Sequence, residues 1–365
     1  MCKERDSKYE ILRIIAMVFI VLGHIITQSN NNSSSIILLN RVGAIYLSNF
    51  SRIAVNLFLM LGIWFMIDKK FKAKRIIKLW GEVFIYAVPI TLILFVLNPK
   101  IENLKNCILC FFPILGKRLW FASIYMILLI FAPILNDICE NLSRKKLGFY
   151  CFLQIIFISV YSSITPFQDT TICNIFWFFF MYFFVYYLKK YDIQKKYSTS
   201  KLFLIAGTLY FIFTTLALLI QELISENMLG YNIFIHIYKL IFQWLADFKS
   251  IPNFTISVII FVGFLNMNSF KISLINKISR STFAVYIIHQ IPGFYSVLWN
   301  EIFCINKYIN TLLYIPYIFF VLIIIFVISI IIDNIRINTI EKKFLQNNLI
   351  NKICLKIDCI YNEFD

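Results

Sequence analysis

Apolar runs long enough to cross a bilayer recur along the whole of this chain, at roughly 9–28, 53–67, 79–97, 119–137, 148–163, 174–188, 202–222, 251–267, 281–298 and 312–333. At about 1.5 Å of rise per residue, some 20 apolar residues in a helix cover the ~30 Å of hydrocarbon. Backbone N–H and C=O groups in lipid must be satisfied internally, which admits helices or a closed barrel. The alternation of barrel strands is absent. The runs therefore predict an all-α fold, a polytopic transmembrane bundle of about ten helices. The second run is short unless 41–52 extends it. Segment 233–248 spans, re-enters or lies on the membrane, and spanning would make the count eleven.

Composition agrees, with 60% of the 365 residues hydrophobic and 15% charged, against about a quarter charged in soluble proteins. A net charge of +16 would ordinarily suggest a nucleic-acid partner. Here the Lys and Arg sit in short segments between runs, and on the ten-span reading 25 fall on one side and 9 on the other. Cytoplasmic loops carry that excess, so both termini are expected in the cytoplasm and nucleic acid is not an expected partner. The leading MCKERDSK mixes both signs and no small-x-small cleavage site follows the first run. That reads as a retained helix rather than a secretion signal. The expected organisation is an integral-membrane domain over 1–333 and a basic cytoplasmic tail over 334–365, without internal repeats.

Nine cysteines lie mostly inside apolar runs, where they read as small buried hydrophobes. Cys107 and Cys110 form a lone C-x-x-C with no second pair or nearby His, so neither zinc nor another metal is expected. No Ser-centred elbow, HExxH helix or P-loop occurs, which leaves hydrolase, metalloprotease and ATPase readings without support.

The first run, YEILRIIAMVFIVLGHIITQ, holds two side chains that lipid should exclude, Arg13 and His24. Eleven residues are almost three helical turns, so both point the same way, roughly 16 Å apart along the axis. An ionisable residue inside a span is a functional hypothesis by default. Arg13 alternatively snorkels as a helix-end anchor, and His24 alternatively bridges helices as a buried polar group.

Arg13, ten intervening residues, then Gly23-His24 resembles the Arg-x10-His signature of the membrane-bound acyltransferase-3 family. Three later stretches are similar to that family in the same order. AVNLFLMLGIWFM at Ala54–Met66 matches its second-helix motif at Phe58 and Gly62, with Leu61 where the family often has Ser. In DKKFKAKRIIKLW, Arg75 matches the Arg that leads into the third helix, and LWFASIYMILLIFAPILN matches at Trp120, Tyr125, Pro133 and Asn136. STFAVYIIHQIP matches the late motif at Tyr286 and His289, with Ala284 where Gly is common. Trp120 also suits an interfacial anchor, and Tyr286 with His289, three apart on one helix face, also suits a buried polar pair.

The resemblance implies a bacterial multi-pass membrane O-acyltransferase of the cytoplasmic membrane. It would move an acyl group, most often acetyl, from acyl-coenzyme A to a hydroxyl of a cell-envelope or exopolysaccharide sugar. Acetyl-coenzyme A is then a co-substrate rather than a bound cofactor. The implied partners are a glycan or lipid-linked glycan acceptor, membrane lipids and a separate extracytoplasmic acyl acceptor protein. Some relatives fuse an extracytoplasmic SGNH-type domain, which is not expected in this chain. Catalysis falls to His24 and His289 and donor binding to Arg13 and Arg75, with Trp120, Tyr125, Asn136 and Tyr286 lining the cavity. The competing reading is a polytopic transporter or flippase for a lipid-linked glycan. Such proteins tend to carry internal repeats and Gly/Pro-broken helices at a midplane site.

Overall fold

The computed structural model describes residues 5–29, 37–67, 69–99, 101–112, 119–160, 171–225 and 247–362. Among these residues all regular structure is helical, and seven helices are long and apolar enough to cross a membrane. Five of the seven are α1 (Ser7–Gln28), α2 (Leu38–Trp64), α3 (Ala73–Leu97), α5 (Trp120–Asn141) and α7 (Thr171–Lys190). The sixth is the 199–220 part of α8 (Thr199–Ser225). The seventh, Tyr314–Gln346, joins α13 (Tyr314–Arg336), a π-helical turn at Ile337–Glu341 and α14 (Lys342–Gln346). Shorter helices are α4 (Leu104–Cys110), α6 (Arg144–Gln154), α9 (Ile251–Leu265), α10 (Ser273–Arg280), α11 (Thr282–Gln290), α12 (Phe294–Val297) and α15 (Asn348–Asn362). His236 and residues 233–246 lie outside the described residues.

The chain divides into two compact units. Unit one comprises Met1–Phe65, Asn141–Ser279 and Ile305–Phe319. Its α1 starts where the Asp6 carboxylate accepts from the Lys8 backbone N–H, 3.2 Å away, satisfying one of the orphan donors of a helix start. The Lys8 ammonium, almost fully buried, donates to the carbonyls of Leu265 and Met267, each at 3.0 Å. A cation there offsets the negative end of α9. At its far end α1 is tied by the Ser29 hydroxyl to Tyr314, 2.5 Å away. α2 runs 27 residues, so 41–52 does extend the second span.

Unit one is keyed by Asn56 of α2, which no solvent reaches. Its amide donates to the Phe248 carbonyl at 2.7 Å and its Oδ1 accepts from the Trp177 indole at 3.0 Å. Trp177 in turn sits against Phe180 and Phe254, with ring centroids 5.1 and 5.6 Å apart. Buried polar groups hold only when paired, so this amide dictates where α2, α7 and residue 248 meet. The fifth expected span, 148–163, departs from a continuous α-helix: α6 gives way to a π-helical turn over Ile155–Val160.

Unit two comprises Met66–Glu140, Arg280–Cys304 and Phe320–Asp365. Here two expected boundaries are corrected. The third helix begins at Ala73, not at 79, because the Asp358 carboxylate caps the Ala73 N–H at 2.6 Å. Arg75 therefore stands in its first turn. The ninth run, expected as one span over 281–298, breaks after Gln290. Pro292 brings no N–H and disfavours helix at the residue before it. Gly293 then takes φ 81°, open to glycine, with the Glu102 side chain where a Cβ would lie. α11, nine residues long, is too short to cross hydrocarbon alone.

Charge is buried in unit two where α3 meets α13. Arg336 is 5% exposed and contacts Asp333 at 2.8 Å, Glu341 at 2.6 Å and Glu82 at 3.4 Å. Lys78 reaches Glu341 at 2.6 Å, and the Tyr86 hydroxyl donates to Asp333 at 2.7 Å. Glu82 of α3 is a member of this buried network.

Candidate functional site

In unit one the candidate residues lie on α1. Arg13 and His24 are both half-buried. Arg13 is held by a carboxylate that its own helix supplies: Nη1 donates to Glu10 Oε2 at 2.5 Å. Glu10 is nearly sealed from solvent at 4% exposure. It also faces Arg5 at 3.7 Å and accepts from the Ser279 hydroxyl. A guanidinium is planar and always charged, so a buried carboxylate on one edge sets the direction of the others. Sequence reasoning passed over Glu10, although acid and base three apart on a helix face is a legible signal.

Gly23, beside His24, has a packing reason. A Cβ there would fall into the Ser51 side chain of α2, so the glycine lets α1 and α2 approach closely, as small residues do in membranes. Gly23→Ala ordinarily favours a helix by up to about 1 kcal/mol. Here overpacking, about 1–3 kcal/mol, should win, because the Ser51 Cβ is fixed to backbone. The expected result is a lower unfolding temperature in detergent, recovered when Ser51→Gly is added. An unchanged temperature in Gly23→Ala would refute the close approach.

In unit two a second set converges around His289. Its ring is fully buried, and Nδ1 lies 2.5 Å from the Val285 carbonyl. A carbonyl only accepts, so Nδ1 carries the proton and Nε2 the lone pair. Tyr286 and Trp299 each stand edge-on to His289, with centroids 6.3 Å away in both cases. The Tyr286 hydroxyl meets the backbone of Phe121 and Ala122, at the amino end of α5. Phe121 stacks on Tyr125 and lies edge-on to Trp120 and Tyr286. Four expected residues, Trp120, Tyr125, Tyr286 and His289, thus share one aromatic cluster. Phe121 and Trp299 also belong to it, though neither carried a signal beyond being aromatic. Asn136 is buried inside α5, which runs on to Asn141, rather than ending the helix.

Two clefts adjoin these elements. Just past His289, Ile291 and Pro292 line a narrow apolar cleft with Val83, Ala87, Thr91 and Cys110. At the head of α3, Lys69, Lys70, Lys72 and Arg75 line a narrow basic cleft together with Met66, Leu129 and Pro133. Arg75 is exposed and donates to the Lys70 carbonyl at 3.2 Å. A concave basic site at helix amino ends suits an anion. Cys107 and Cys110 are buried in α4, with the Cys110 thiol donating to the Cys107 carbonyl at 2.9 Å. Among the described residues no group of three His, Cys, Asp or Glu is placed to hold a metal.

Among the described residues, seven helices long and apolar enough to cross a membrane define a multi-pass membrane protein. A family profile described as an acyltransferase domain matches residues 6–333. The chain belongs to that family, acyltransferase-3, and is a membrane acyltransferase. No curated protein and no solved structure matches it.

Proposed function

We propose that this acyltransferase moves an acyl group, most simply acetyl, from acyl-coenzyme A to a sugar hydroxyl of an envelope or exopolysaccharide glycan, in the bacterial cytoplasmic membrane. The observation that carries the reading is α1, where a guanidinium oriented by a buried carboxylate shares a helix face with a deeper imidazole. Coenzyme A presents phosphates at one end and a thioester at the other. Arg13 serves a donor phosphate: Glu10 takes one edge of the guanidinium, and a phosphate would take the rest, in the paired geometry that arginine favours. Within unit two, the basic cleft of Arg75 and its neighbouring lysines is proposed in its own right as a place for a donor phosphate.

His24 either takes the proton of the attacking hydroxyl or holds the acyl group in passing. In the first case the hydroxyl oxygen bonds to the thioester carbon, the C–S bond breaks, and His24 passes the proton it took to the sulfur, so that coenzyme A leaves as the thiol. Trapping labelled donor without acceptor separates the two, since only a carrier retains label on the protein. His289, two residues before the Ile291–Pro292 wall of the apolar cleft, is proposed as the second catalytic histidine. Trp120, Tyr125, Asn136 and Tyr286 are proposed to shape the cavity.

Radiolabelled acetyl-coenzyme A incubated with membranes should yield label on glycan or on a lipid-linked or protein acceptor. Mass spectrometry of envelope glycans with and without the gene should reveal a missing acyl mass. Absence of both would refute the reading and leave glycan transport to test. For Arg13→Ala we expect the KM for donor to rise while kcat at saturation holds, the signature of lost ground-state binding. Donor titration reads this directly, and an unchanged KM would remove Arg13 from donor binding.

A further inference from the structure

We propose that α15 is an interfacial helix that binds anionic phospholipid headgroups, and that it clamps the basic segment 69–75 at the membrane surface. This inference goes beyond the transfer reaction and holds whichever acyl group is moved.

The helical stretch Tyr314–Gln346 is a spanning helix, and α15 begins two residues after it, at Asn348. The Asn347 side chain caps the new start, accepting from the backbone N–H groups of Leu349 and Ile350 at 2.8 and 3.4 Å. A linker so short keeps α15 beside the end of a span. Its residues then sort by angle. At 100° per residue Leu349, Ile353, Ile357 and Ile360 fall within a quarter turn. All four are exposed, at 66, 45, 39 and 48%. Lys352 and Lys356, also exposed, flank one edge of that stripe.

The opposite face is already occupied within unit two. Asp358 caps Ala73 at 2.6 Å, Tyr361 stacks on Phe71 with centroids 4.1 Å apart, and Asn351 accepts from the Lys74 ammonium at 3.3 Å. Cys354, between them, is 4% exposed. One face of α15 therefore holds segment 71–74, next to the basic cleft, while the other presents aliphatic side chains edged by lysine. A helix with an apolar stripe and basic flanks lies in the headgroup region, its lysines reaching up to phosphate. Juxtamembrane lysines favour anionic lipid within a Debye length. The excess of Lys and Arg expected in cytoplasmic segments would place this end of the span at the cytoplasmic leaflet. Continuity with the span, together with charge, selects a lipid surface over a protein partner.

The test uses the full chain in lipid nanodiscs. With Ile353→Trp, the added indole should be quenched by brominated phosphatidylglycerol, after subtraction of the parent's signal. Quenching by aqueous iodide instead would overturn the proposal. In hydrogen exchange, amides 348–362 of the parent should exchange about 30-fold more slowly in phosphatidylglycerol than in phosphatidylcholine, as two lysines at an anionic surface imply. Lys352→Glu with Lys356→Glu should erase that difference. Equal exchange of the parent in both lipids, or slowing that appears only with added cytosolic protein, would overturn the assignment to anionic headgroups.

Discussion

Replacing His24 by alanine is expected to lower acyl transfer by about 10²–10⁴-fold, the usual worth of a positioned acid–base group, with protein level and donor binding retained. The expectation rests on the proposed role and on how α1 carries the residue. Gly23 seats the helix against Ser51, and Ser29 ties its end to Tyr314, so the imidazole is borne on a helix held at both sides. Histidine suits the task because its ordinary pKa, about 6.5, lets it accept and release a proton near neutrality. The measurement is transfer of labelled acetyl to glycan by purified protein in nanodiscs, with donor binding read separately. Full activity in the variant would remove His24 from the mechanism. The same assay on His289→Ala tests the second histidine, whose Nδ1 is bonded to the Val285 carbonyl.

The largest expected effect on stability comes from Arg336→Met. The guanidinium faces three carboxylates, of Asp333, Glu341 and Glu82, and their side chains are 0, 11 and 10% exposed. Removing it leaves Lys78 as the remaining cation of the network. Removing one partner of a buried pair costs about 3–5 kcal/mol, because the other charges stay buried without compensation. Thermal unfolding in detergent and yield of folded protein should both fall steeply. Adding Asp333→Leu to Arg336→Met should recover part of the loss, since it withdraws one stranded charge. A variant as stable as the parent would show that the network contributes nothing to the fold.

Much of the architecture was legible in the apolar runs. Length and hydropathy placed the helices at 9–28, 174–188 and 202–222 to within a few residues, because lipid enforces length and internal hydrogen bonding. The break in the ninth run was written locally too, in Ile291-Pro292-Gly293, yet hydropathy outweighed it in the reading. The early start of α3 was not local at all: its cap, Asp358, lies 285 residues away. For the candidate site, Arg13, His24, Tyr286 and His289 could be chosen by motif. Glu10 was missed although it lies one turn from Arg13, and Ser279, which joins it, is 269 residues off.

By itself the sequence determined the solvent, the helical class and the family, since each depends on which residue types recur at which short spacing. Partners were decided only by tertiary structure. Which carboxylate orients Arg13, which rings surround His289 and which cation neutralises Glu82 depend on the helices that packing brings side by side. The physical reason is one of range. A helix dictates the direction of its own side chains within a few turns, whereas a buried polar group accepts any complementary partner that close packing delivers.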